Sequence, residues 1–70
     1  MTLDEFRIEN GWSYSELARQ LGASHATAAR RWCLDKSHPD YTIPRKLFMD
    51  RIVKKSFGKV LPNSFYLGGS

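Results

Sequence analysis

Seventy residues with a net charge of +4 describe one small domain. The single cysteine, Cys33, excludes an internal disulfide, and one cysteine with two histidines (His25 and His38) falls short of a four-ligand zinc site. No charged start leads into a long apolar run, so no signal peptide or membrane span is legible, and the lone cysteine fits a reducing, cytoplasmic setting. A chain of this size buries only about 60% of its unfolded surface. With disulfide and metal set aside, a partner subunit is the expected source of further stability.

The charge is unevenly placed. Met1–Gly22 holds two basic residues against four acidic ones, a net of −2, whereas Ala23–Ser70 holds nine against three, a net of +6. Such a division is expected when one side of a domain faces a polyanion. A solvated basic exterior is the plainer alternative.

In chain order, Thr2–Asn10 reads as a first helix, with Thr2 as N-cap and Asp4 and Glu5 set against the positive end of the helix dipole. Leu3 and Phe6 face the core, and Gly11 is the stop. Ser13-x-x-Glu16 has the form of a capping box for a second helix, Tyr14–Leu21, onto which Trp12 staples at Leu17. Leu17 and Leu21 share an apolar face, and the small Ala18 beside them permits close approach of a neighbour. Gly22 supplies the positive φ of a tight turn, and Ser24 is the expected N-cap of a third helix from His25 to Cys33 or Leu34. At 3.6 residues per turn, Ala28 and Trp32 project inward on this helix, and Ala26, Ala29, Arg30 and Cys33 project outward. Two short helices about a tight turn, the second carrying adjacent arginines, have the layout of a helix-turn-helix.

Asp35–Thr42 reads as a loop. A fourth helix is expected from Pro44 to Phe57, with Gly58 as its stop. Its apolar face (Phe48, Met49, Ile52, Val53, Phe57) spans half the circumference, wide enough to cover a C-terminal segment, a second subunit or both. Lys59–Leu67 is too apolar for a free tail, and Pro62 limits it to an edge strand or extended arm. The domain is therefore expected to span residues 1–67, with Gly68–Ser70 a frayed tail or cloning scar. The fold class is all-α: four helices and a short extended C-terminal arm.

The run Glu16-Leu17-Ala18-x-x-Leu21-Gly22-Ala23-Ser24-x-x-Thr27 resembles the Cro/CI-type helix-turn-helix regulators of phages and bacteria, which have a lambda-repressor-like fold. The ending Gly58-Lys59-Val60-Leu61-Pro62-Asn63-Ser64-Phe65-Tyr66 also resembles the tail of many small phage-type members. Ala28 departs from the family's Val or Ile, with Trp32 filling the gap. Arg31 stands where a buried aliphatic often follows.

The resemblance implies that Ser24, His25, Ala26, Thr27, Ala29, Arg30 and Cys33 meet DNA, and that Ser13, Tyr14 and Ser15 meet phosphates. Of these, Thr27 is assigned to phosphate and the rest of the first group to bases. Arg30 suits guanine O6 and N7, or a phosphate. Arg31 suits the DNA backbone, or an i, i+4 ion pair with Asp35. Ala26 and Ala29 suit thymine methyls or serve as spacers, and Lys36 reaches the backbone. Lys54, Lys55 and Lys59 read as a solvated face.

No phosphate loop, metal cluster or catalytic constellation is legible, so neither an enzyme nor a cofactor is expected. The expectation is a sequence-specific double-stranded DNA-binding regulator, a phage or mobile-element repressor. It would act as a homodimer on a pseudo-palindromic operator, without a membrane or small-molecule effector. Dimerisation is assigned to Met49, Val53, Phe57, Val60, Phe65 and Tyr66. The alternative is a small interaction module, an antitoxin or adaptor, whose basic face meets a protein.

Overall fold

Five helices account for the ordered elements of residues 1–66, which the computed structural model describes: α1 (Leu3–Glu9), α2 (Tyr14–Leu21), α3 (Ala26–Cys33), α4 (Lys46–Lys55) and α5 (Asn63–Tyr66). No strand occurs among the described residues, and the Gly68–Ser70 tail lies outside them, as does Leu67.

The complete capping box belongs to α1. The Thr2 hydroxyl accepts from the Glu5 N–H at 3.1 Å, and the Glu5 carboxylate accepts from the Thr2 N–H at 2.8 Å. These bonds hold the Glu5 carboxyl below its ordinary pKa. At α2 only half of the expected box forms. Ser13 accepts from the Glu16 N–H, but the Glu16 carboxylate is taken by Arg19 and Gln20. Trp12 packs edge-on against Phe6 with centroids 5.5 Å apart, so its aromatic partner lies on α1. Arg7 then joins the two helices: its guanidinium binds Asp4, donates to the Trp12 carbonyl at 2.9 Å and lies over the Tyr14 ring at 4.4 Å.

Helices α1, α2 and α4 end in the same way, with the paired 6→1 and 5→2 bonds of a Schellman closure. Trp12 N–H reaches Arg7 and Gly11 N–H reaches Ile8; Ala23 reaches Ala18 and Gly22 reaches Arg19; Gly58 reaches Val53 and Phe57 reaches Lys54. The left-handed residue is Gly11 (φ 67°) at the first and Gly22 (φ 74°) at the second. At the third it is Phe57 (φ 54°), so the expected stop at Gly58 arrives one residue early. A side chain in that region costs about 1–2 kcal/mol. Two successive left-handed residues, Phe57 and Gly58, turn the chain back so that Val60 is fully buried. Its N–H donates to Ser56 Oγ at 3.0 Å, and Ser56 Oγ donates to the Val53 carbonyl, which satisfies the one buried polar side chain among the described residues.

The core gathers Leu3 and Phe6 of α1, Leu17, Ala18 and Leu21 of α2, Ala29 and Trp32 of α3, Met49 and Ile52 of α4, then Val60 and Phe65. Trp32 meets Phe48 with centroids 5.2 Å apart. The C-terminal segment is neither an extended arm nor an edge strand, and the reason is geometric. Val60 and Phe65 are an odd number of residues apart, so an extended chain would point them to opposite sides. A helical turn buries both. Tyr41 Oη donates to the Phe65 carbonyl and Ser64 Oγ to the Met1 carbonyl, which ties α5 to the start of the chain. Helix α4 is also shorter than expected: Pro44 is buried ahead of it and Arg45 is its N-cap.

Arg51 Nη1 donates to the Leu21 carbonyl at 3.0 Å and so closes α2 from α4. A Cβ on Gly22 would lie 2.5 Å from that nitrogen. Gly22→Ala is therefore expected to cost about 2 kcal/mol in urea unfolding, from the left-handed backbone and the displaced guanidinium together. In an Arg51→Ala background only the backbone part, about 1 kcal/mol, remains. Equal costs in the two backgrounds would refute this account of the closure.

Candidate nucleic-acid interface

Helix α3 packs chiefly against α2 and more lightly against α1. Helices α2 and α3 are joined by Gly22–His25, and each buries a small side chain: Ala18 on α2 and, completely, Ala29 on α3. This corrects the outward placement of Ala29. Trp32 is inside as expected and Ala28 is half-buried against the core, so with Ala29 the inward face is turned by roughly 50°, about half a residue, from that expected. Thr27 and Arg31 lie two residues either side of Ala29, about 160° from it at roughly 100° per residue, and both are exposed. Arg30 is exposed on the flank, and Ser24 and His25 are exposed in the turn. Ala26 is half-buried beneath them.

Cys33 is also misplaced by the outward reading. It is half-buried in a cleft lined by Leu3, Asp4, Trp32, Tyr41 and Phe65, on the α1 side of α3. Burial pushes its thiol from about 9 up to about 12, Asp4 adds to the shift, and Arg7 opposes it. Lys36 is half-buried at the edge of the same cleft.

The N-termini of the first four helices fall into two classes. Helices α1 and α2 have a capping side chain and an acidic first turn. Helices α3 and α4 have neither, and Ser24 does not cap α3: the N-cap is His25, without a side-chain bond. The start of α4 instead carries Arg45 and Lys46, cations at the positive end of a helix dipole, where they are unfavourable without an anion. That departure from the dipole rule was a legible signal, and sequence reading passed over it. The Thr42 N–H reaches the Arg31 carbonyl at 3.4 Å and brings the approach to α4 alongside the end of α3.

Among the described residues neither Arg30 nor Arg31 has an ion-pair partner. The Arg31–Asp35 pair does not form, because the Asp35 carboxylate accepts both the N–H and hydroxyl of Ser37, at 2.8 and 2.6 Å, which also lowers its pKa. Of the residues expected to touch phosphate at the start of α2, Ser13 is engaged as the N-cap, the Tyr14 ring lies beneath Arg7, and Ser15 is exposed. Among the residues assigned to dimerisation, Met49, Val60 and Phe65 belong to the protein's own core and Val53 is half-buried. Phe57 and Tyr66 are exposed.

The chain thus presents two unpaired guanidinium groups and a hydroxyl on one helix face, and elsewhere an uncapped helix start bearing two further cations. That chemistry suits a polyanion carrying hydrogen-bond acceptors. No group of three or more metal-ligating side chains occurs among the described residues. No family model, curated protein or solved structure matches the chain.

The native Cys33 thiol holds its proton more tightly than the unfolded one, so the stability that this group contributes is fully present below about pH 9 and is lost as pH rises towards 12. At pH 8, iodoacetamide is expected to modify the native protein at least about tenfold more slowly than the urea-unfolded chain, read by intact mass. Equal rates would show that the thiol is not desolvated.

Proposed function

We propose that the chain is a sequence-specific double-stranded DNA-binding transcriptional regulator in which α2, the Gly22–His25 turn and α3 act as a helix-turn-helix. The observation that carries this reading is the outer face of α3, where Thr27, Arg30 and Arg31 are exposed and both arginines lack an acidic partner. In this reading α3 enters the major groove. Arg30 and Arg31 read guanine edges or hold phosphates, and Thr27, Ser24 and His25 lie at the groove floor and entrance. Ala29 and Cys33 take no part in base contact, and Ala26 reaches the groove only at its edge. The free N–H groups at the start of α4, with Arg45 and Lys46, hold the phosphate backbone and set the register of α3.

The active unit is a homodimer on a pseudo-palindrome, with half-site centres about 10 bp apart or a multiple of that spacing. Repression follows by occupying a promoter, as in the phage or mobile-element regulators that the chain resembles, within the bacterial cytoplasm. No helix among the described residues is long and apolar enough to cross a membrane.

Selection from a pool of random duplexes tests the proposal. The chain is expected to enrich one motif, and Arg30→Ala or Arg31→Ala to lose about 1–3 kcal/mol of discrimination at a single position. Arg45→Ala and Lys46→Ala are expected to weaken all duplexes alike, each reducing the slope of log K against log salt by about 1. A pool with no enriched sequence and no salt dependence would reject the proposal in favour of a protein-binding module.

A further inference from the structure

The third Schellman closure leaves an unexplained side chain. Phe57 takes the left-handed position that Gly11 and Gly22 fill elsewhere, and it is 93% exposed, so its ring buries almost nothing in its own chain. Lys54 and Lys55 are exposed beside it, and a cleft of about 420 Å³ lies next to it, with Phe6, Trp12 and Phe57 as its aromatic lining. At the edge of this cleft, Lys59 Nζ meets Glu9 Oε1 at 3.6 Å. Beyond that contact the exposed side of α1 presents Glu5, Glu9 and Ile8, the last 61% exposed. Two half-patches therefore abut. One is basic with an exposed aromatic, the other acidic with an exposed aliphatic. Their charges nearly balance, in a chain whose net charge is +4.

We propose that this face is the contact between two copies of the chain. A two-fold axis near the Glu9–Lys59 contact lays the Lys54–Phe57 corner of each copy on the α1 face of the other. Phe57 then covers the partner's Ile8, and Lys54 and Lys55 meet the partner's Glu5 and Glu9. A patch divided into opposite charges satisfies both halves at once under two-fold symmetry, and the contact closes at a dimer. A purely basic face would repel its own copy. An anionic lipid surface is disfavoured by the two glutamates that share the face. No residue of α3 lines the cleft or the two half-patches, so the arginine face stays free in the dimer. The inference deepens the homodimer within the proposed function, and its test is run without DNA, so either can fail alone.

Sedimentation equilibrium up to about 1 mM protein reads the association. The wild-type chain is expected to dimerise, and more weakly as salt rises. Phe57→Asn separates folding from association. Asparagine tolerates the left-handed backbone, so this variant should melt at a higher temperature yet associate at least about tenfold more weakly. Lys55→Glu and Glu9→Lys should each associate at least about tenfold more weakly alone, and an equimolar mixture of the two should recover the dimer, because each reversed half then meets its complement. The proposal is overturned by a wild-type chain that stays monomeric, by Phe57→Asn associating unchanged, or by a mixture that does not recover. Phe57-dependent binding of a monomeric chain to phosphatidylserine vesicles would assign the face to a lipid surface instead.

Discussion

The end of α2 has space for one conformation and almost no side chain. Gly22 lies in the left-handed region, its N–H and that of Ala23 close the helix, and the Leu21 carbonyl is taken by a guanidinium from α4. A charge-assisted bond to a backbone carbonyl contributes about 1 kcal/mol at a partly exposed site. Its larger consequence is positional, because it brings α4 to the point where α2 gives way to α3. The turn sets the start of α3, Arg51 ties α4 to the end of α2, and the small Ala18 and Ala29 are buried on α2 and α3. The outward face of α3 follows from these constraints.

A second set of contacts works at the opposite end of α2. Arg7 reaches Asp4, the Trp12 carbonyl and the Tyr14 ring from a largely buried position. Its neighbour Cys33 is desolvated in the cleft between α1 and α3. Three of the acidic residues are engaged by neighbours in the chain: Asp4 by Arg7, Glu16 by Arg19 and Gln20, Asp35 by Ser37. Among the described residues, Arg30 and Arg31 have no ion-pair partner. This distribution, more than the total of +4, is what makes the α3 face suited to phosphate and base acceptors.

Much of the local structure was legible because it depends on neighbours in the chain. Thr2 and Ser13 cap as hydroxyls do, and Gly11 and Gly22 end helices as glycine does. The Leu17-Ala18-x-x-Leu21 stripe is buried as its spacing requires. The failures have equally definite causes. The inward side of α3 was hard to place because five of its eight residues are small or apolar, and a wheel of alanines does not announce which one the core will take. Tertiary contact with α2 chose Ala29. The stop of α4 was displaced because Phe57 adopts a conformation for which its residue type is a poor signal. The C-terminal segment was read as extended from its proline, although burial of both Val60 and Phe65 needs a turn between them.

By itself the sequence determined the order of the first four helices, the N-caps and glycine stops of α1 and α2, the tight turn between the second and third, and the division of charge along the chain. Each is a property of residues within a few positions of one another, where backbone preference and short hydrogen bonds decide. The tertiary structure decided which side of α3 faces out, which arginines stay unpaired, and that Arg51 serves the end of α2. It also decided that Met49, Val60 and Phe65 fill the core while Phe57 stands exposed. These outcomes depend on packing between segments far apart in sequence, where a shift of one position round a helix costs little locally and exchanges an inward side chain for an outward one.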